Sequence, residues 1–140
     1  MVQANELRIG NWVTHRHFPY DFFNIRSVSK DRLHMINIVD TGGYAIDYNL
    51  SDLHPIELTP EILEKCGFKK NRNGESSIEI NDIASHLELM EGKEGYYYPS
   101  FTQTPQGDEE RTVYFNRIRC VHQLQNLYYA LTQTELTINL

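Results

Sequence analysis

His15-Arg16-His17 sets two imidazoles and a guanidinium on consecutive residues, flanked by Trp12, Phe18, Tyr20, Phe22 and Phe23. Cations interleaved with rings can stack on bases and touch phosphates, and the same mixture suits a protein or small-molecule partner. Trp12, His15, Arg16, His17, Phe18 and Tyr20 are therefore the first candidate binding surface. The plainer alternative is a loop whose aromatics close one end of a core. A metal at the two histidines needs further ligands, and only Asp21 is near in sequence. Adding His34 to His15, His17 and Asp21 gives the one scattered set from which an enzyme site could be assembled.

Tyr96-Tyr97-Tyr98 is the second feature. Three consecutive rings in a strand must occupy both faces, so at least one points away from the local core. Exposed tyrosine offers large contact area at little entropic cost, which suits a partner protein or a second copy of the chain. Lys69-Lys70-Asn71-Arg72 is the clearest basic cluster in the sequence. Lys69, Lys70 and Arg72 are the phosphate contacts of a nucleic-acid reading, and a solvated hairpin turn accounts for them equally well.

The usual catalytic signatures are missing. There is no nucleophile elbow, no phosphate-cradling glycine loop, and no CxxC or HExxH. Cys120 and His122 are two residues apart across an expected strand-to-helix junction, a spacing with no preferred geometry for a nucleophilic pair. A core cysteine beside a capping or surface histidine is the plainer reading. Asp40-Thr41-Gly42 matches the active-site triplet of aspartic proteases but lacks its hydrophobic strand context, and a turn explains it. The balance leans away from an enzyme, and no cofactor or metal is called for.

Composition is that of an ordinary globular protein, slightly polar and rich in Tyr. The chain has 140 residues, 40% of them apolar and 23% charged, with nine Tyr, six Phe and one Trp. That length fits one domain or two small subdomains and needs no metal or disulfide staple. A formal net charge of −6 argues against coating duplex DNA, which requires a basic face to displace counterions. The two cysteines, Cys66 and Cys120, read as buried apolar thiols. No basic segment followed by an apolar run opens the sequence, and no stretch has the length of a membrane span. The expected place is the cytoplasm of a bacterial host, away from the membrane.

The elements that must position these groups follow from periodicity. Alternation predicts strands over 7–13, 22–28, 32–38 and 44–48, with a bend at Gly10, a loop over 14–21 and a turn at 29–31. A short fifth strand over 53–58 contains Pro55, which places it at an edge. Five short strands with tight turns predict a small SH3-like β-barrel over 1–58. Thr59-Pro60-Glu61 then starts a helix, with Thr59 as cap, Pro60 at the first position and Gly67 as the left-handed stop. Strands follow at 77–80, 86–89 and 111–119, with a mobile loop over 102–110. Val121, Leu124, Tyr128 and Leu131 form the stripe of a last helix expected to pack on this second sheet. The expected whole is α+β: an N-terminal SH3-like small β-barrel, then a 59–140 subdomain of helix, small antiparallel sheet and C-terminal helix, the two forming one compact unit. The tail at 135–140 is a possible further strand.

Three segments together carry a resemblance: Asn5-Glu6-Leu7-Arg8-Ile9-Gly10-Asn11-Trp12-Val13, Pro55-Ile56-Glu57-Leu58-Thr59-Pro60-Glu61-Ile62-Leu63, and Val121-His122-Gln123-Leu124-Gln125-Asn126-Leu127-Tyr128-Tyr129-Ala130-Leu131-Thr132. The combination resembles a family of small uncharacterised proteins encoded by phages, prophages and mobile elements of Bacteroides-type gut bacteria. The resemblance spans most of the chain and is weakest over 69–118. It implies a setting and brings no catalytic residues. Leu131-Thr132-Gln133-Thr134-Glu135-Leu136 departs from the Leu-Thr-Gly-Glu-Glu-Leu of that family, which removes a helix-stopping glycine. The leading expectation is a non-enzymatic accessory protein that binds a host or phage macromolecule or a small signalling molecule. A nucleic-acid-binding accessory protein and an enzyme with a scattered His/Asp site are the alternatives.

Overall fold

A computed structural model describes residues 6–28, 35–40, 43, 45–80, 82–104 and 109–140. The expected turn at 29–31, the start of the third strand with His34, the Thr41-Gly42 turn, Tyr44 and residues 105–108 of the expected loop lie outside these. The protein is α+β, with two α-helices and two five-stranded antiparallel sheets among the described residues. It divides into two compact units, Met1–Glu57 with Cys120–Leu131 and Leu58–Arg119 with Thr132–Leu140.

In the first unit the sequence alternation produces β1 (Trp12–His15), β2 (Phe18–Val28), β3 (Met35–Asp40), β4 (Ala45–Asn49) and β5 (Leu53–His54), in spatial order β4-β3-β2-β1-β5. The strand expected over 7–13 begins only at Trp12. Gly10 turns the backbone with a φ of 94°, and the segment before β1 bonds to β2 outside the ladder through Gly10 N to Ile25 O and Ile25 N to Asn11 O. The expected loop over 14–21 is instead a tight hairpin that turns at Arg16-His17. The Thr14 hydroxyl holds it by donating to the carbonyls of Phe18 and Asp21 at 3.0 and 2.9 Å. β5 stops before Pro55 and is an edge strand, as the proline requires. Val13, Phe23, Ile25 and Leu53 form the core, with Leu7, Tyr48 and Leu50 packed against it. Among the described residues the edge strands β4 and β5 share no ladder, so this sheet is open.

The second unit holds α1 (Pro60–Lys65), β6 (Lys69–Lys70), β7 (Ser76–Ile80), β8 (Asp82–Glu91), β9 (Tyr97–Gln103) and β10 (Arg111–Tyr114), ordered β10-β9-β8-β7-β6. α1 is built as its sequence dictates. The Thr59 hydroxyl accepts from Ile62 N at 3.2 Å, Pro60 fills the first turn, and Gly67 leaves it with a φ of 90°. The strand expected to reach Arg119 ends at Tyr114; beyond it Phe115 N still donates to Pro99 O at 3.1 Å, and Ile118 bridges Tyr97 by two 2.8 Å backbone bonds. The tail over 135–140 forms no strand. It is tied by Asn139 N to Lys65 O and by the burial of Leu136.

The C-terminal helix α2 (Val121–Thr132) does not follow the expectation that it packs on the second sheet, since residues 120–131 belong to the first unit. Its polar residues explain the placement. The buried Gln125 amide accepts from Trp12 N at 2.8 Å and donates to Gly10 O at 3.0 Å. Asn126 accepts from Asn11 Nδ2 at 2.9 Å and from Arg8 Nε at 3.2 Å, and donates to Glu6 O at 2.7 Å. An apolar stripe can pack on any apolar surface, but these bonds have one match.

Two outcomes follow. Gln125→Leu keeps the volume but orphans the Trp12 N–H and removes one bond to Gly10 O, so denaturant unfolding should show a loss of about 1–3 kcal/mol. An unchanged midpoint would mean that these groups find other partners. Gln133 stops α2 with a φ of 57°, the left-handed region that favours glycine. Gln133→Gly should raise stability by about 1 kcal/mol, because the side chain no longer crowds the backbone. A loss in the same assay would show that Gln133 makes a contact worth more than its strain.

Candidate functional site

The β1–β2 hairpin gathers the first candidate group within the first unit, but its members divide into support and surface. His15 is 3% exposed and sits under the others. Its ring lies 4.2 Å from Tyr48, 5.4 Å from Phe18 and 5.5 Å from His17, and Tyr48 in turn meets Phe23 edge-on. His15 Nδ1 accepts from His17 N at 3.2 Å, while Nε2 is buried without a hydrogen-bond partner among the described residues. Trp12 is half-buried and contributes its backbone N–H to Gln125. Both therefore serve the fold.

The surface consists of Arg16, His17, Phe18 and Tyr20. Tyr20 is 91% exposed and Phe18 46%. Arg16 is fixed at both ends: its backbone N–H donates to Asp52 O at 2.9 Å, and its Nε lies 3.0 Å from the Asp52 carboxylate. The same Nε reaches His17 Nε2 at 3.1 Å. Two exposed rings thus stand beside a guanidinium whose stem is held in place, so an incoming partner would order few new side chains. Among the described residues no three His, Cys, Asp or Glu side chains come together as metal ligands. Of the scattered enzyme set, the His15 and His17 rings meet at 5.5 Å, Asp21 is exposed with its carbonyl engaged by Thr14, and His34 lies outside the described residues.

The tyrosine run divides three ways in the second unit. Tyr97 is buried and bridges Ile118. Tyr98, on the opposite face of β9, is 42% exposed and lies across Gly92, where a Cβ would come within 2.3 Å of its ring. Tyr96 precedes the strand and is covered by two guanidiniums, with Arg117 at 4.0 Å and Arg119 at 5.4 Å from its ring centre. Sequence periodicity identifies the alternation but not the arginines, which come from twenty residues further on. Of the three, Tyr98 is exposed, Tyr96 half-buried and Tyr97 buried.

Lys69 and Lys70 form the edge strand β6, and Arg72 lies exposed in the turn after it. Lys70 Nζ donates to Gly74 O at 3.1 Å, and the Asn71 side chain organises the turn by accepting from Asn73 N and Glu75 N. Two grooves of about 400 and 410 Å³ share the two lysines as walls. Glu61 and Glu64 line one and Glu79 the other. Each groove therefore mixes both signs, which a polyphosphate backbone does not favour.

His122 is a second buried imidazole, 1% exposed, with Nε2 3.7 Å from Cys120 Sγ and 3.4 Å from Glu6 Oε2. Sequence spacing gave no sign of this approach, because the start of α2 sets it and Glu6 comes from the other end of the chain.

Burial lowers the pKa of both imidazoles below the ordinary 6.5, His15 against the opposing pull of Asp52 and His122 against that of Glu6. A histidine held neutral in the fold binds its proton more readily once unfolded. Stability should thus be intact above pH 6.5 and fall as pH drops below it, toward the lowered folded values. His15→Phe keeps a ring in the aromatic cluster and removes one titration, so denaturation midpoints should differ less between pH 7.5 and 5.5 than in the wild type. Equal losses in the two proteins would show that His15 is not held neutral. Compared with known proteins, the chain matches no family model, no curated protein and no solved structure, so its site rests on its own geometry.

Proposed function

We propose that this chain is a non-enzymatic binding protein that engages a partner protein through the tip of the β1–β2 hairpin. The observation that carries the reading is the pair of exposed rings, Phe18 and Tyr20, beside Arg16 pinned by Asp52. Tyrosine and arginine in a preorganised patch are what interface hot spots are made of. The net charge of −6 and the acidic walls around Lys69 and Lys70 make a nucleic acid the weaker occupant.

Two finer readings accompany it. The first is that the N-terminal sheet is a small SH3-like barrel. Its antiparallel order β4-β3-β2-β1-β5 supports this, with β5 returning beside β1 after a 3₁₀ turn at Leu50–Asp52. Such a fold carries no function of its own, and the hairpin surface supplies it. The second is the family, an accessory protein of a phage or mobile element in Bacteroides-type bacteria acting in the host cytoplasm. Support comes from the quoted segments and from Gln133, which takes a left-handed conformation where that family has glycine. No helix among the described residues is long and apolar enough to cross a membrane.

Affinity capture from lysate of such a host tests the surface. The wild-type chain should retain a protein that Phe18→Ala/Tyr20→Ala loses, while Tyr98→Ala and Arg72→Ala retain it. Removing two central aromatics should weaken binding by roughly a hundredfold or more. Equal retention by the hairpin variant overturns the reading. Retention of nucleic acid that falls steeply with salt and depends on Arg72 would favour the nucleic-acid alternative instead.

A further inference from the structure

Among the described residues β10 is the outer strand of the second sheet and pairs on one side, with β9. All four of its residues are exposed, and Val113 and Tyr114, at 55% and 81%, stand on opposite faces. The bonding phase of this edge is fixed. Phe115 N donates to Pro99 O, Pro99 has no N–H to return, and Tyr97 exchanges two bonds with Ile118. Odd-numbered residues of β9 therefore face β10. Phe115, Val113 and Arg111 commit their backbone groups to β9, and Thr112 and Tyr114 turn theirs away from it. Among the described residues no backbone group bonds to these outward ones. An unpaired edge is a template for another strand unless shortness, charge or proline blunts it. The other edges are blunted: β5 and β6 are two residues long, and β4 carries Asp47 at its centre. β10 has neither a proline nor a central charge.

We propose that β10 pairs antiparallel with β10 of a second copy of this chain, joining the two second sheets across a two-fold axis. The outward groups restrict the register, because even-numbered residues must face even-numbered ones. With Thr112 opposite Tyr114 of the other copy, both outward residues of each strand exchange N–H···O bonds. Val113 then meets Val113 across the axis in a closely spaced pair, and Arg111 comes opposite Phe115. Sliding the pair by one step either way opposes Arg111 to Val113, or to Arg117.

Charge selects the occupant. Glu109 and Glu110 enter the strand and Arg117 follows it, all three exposed. Antiparallel pairing sets the acidic end of each copy beside the basic end of the other. A strand with the same apolar centre and the reverse order of charge fits this edge, and the second copy supplies both.

Sedimentation velocity on the whole chain tests the pairing. Four residues make a small edge, so a weak dimer should emerge between about 10 µM and about 1 mM. A monomer throughout overturns the proposal and leaves the edge to a strand of another protein. Val113→Lys and Val113→Glu change an exposed side chain and keep the backbone bonds to β9. Each alone should weaken association by about tenfold, because like charges meet across the axis, and an equimolar mixture should restore it. Recovery on mixing also shows that both variants fold. Association of either variant alone at the wild-type level, or a loss that mixing does not restore, overturns the two-fold at Val113. Mild oxidation gives a second reading, since Cys66 and Cys120 are buried. Val113→Cys should be trapped as a covalent dimer and Thr112→Cys should not, because only position 113 faces itself. Equal trapping of the two marks random collision and overturns the register.

Discussion

The first unit depends on the buried Gln125 amide. Its side chain is 1% exposed and makes one bond as acceptor and one as donor, to Trp12 N and Gly10 O. The bend at Gly10 leaves backbone groups that a regular strand would have paired, and a buried polar group without a partner costs more than a typical hydrogen bond contributes. Asn24 Nδ2 serves Gly10 O as well, at 2.8 Å, so the bend is held from β2 and from α2. Fixing the bend fixes where β1 begins. β1 in turn sets the hairpin, and the hairpin carries Arg16, Phe18 and Tyr20. The candidate surface is thus positioned by amides more than a hundred residues away in sequence.

That dependence explains what the sequence could and could not disclose. α1 was fully legible because every determinant is local: Thr59, Pro60 and Gly67 each act within one turn of where they stand. Strand alternation was legible for the same reason, as was the edge position imposed by Pro55. The placement of α2 was not. Its apolar stripe is ambiguous by nature, while the residues that choose its neighbour, Gln125 and Asn126, look like ordinary surface amides until Gly10 and Asn11 are opposite them. The loop assigned to 14–21 failed differently. Thr14 replaces a turn signal with two hydroxyl bonds to carbonyls, and neither glycine nor proline marks the reversal at Arg16-His17.

The same distinction separates the aromatic residues by role. Composition alone groups His15 with Arg16 and Phe18 with Trp12. Geometry buries His15, half-buries Trp12 and leaves Phe18 and Tyr20 on the surface. In the tyrosine run, strand geometry correctly required a ring on each face. What covers Tyr96 is a pair of arginines that extended backbone brings to the same side, at positions two apart.

The two buried imidazoles carry the remaining contrast. Each has one ring nitrogen without a hydrogen-bond partner among the described residues, Nε2 in His15 and Nδ1 in His122. In His15 the engaged nitrogen accepts a backbone N–H from its own hairpin, which makes the ring a strut for the turn. In His122 the engaged nitrogen faces two groups able to exchange a proton, a thiol and a carboxylate. Burial has the same effect on both rings, favouring the neutral form, so it cannot distinguish their roles. The partner of the engaged nitrogen does: a backbone amide of the hairpin in His15, and a thiol and a carboxylate from two ends of the chain in His122.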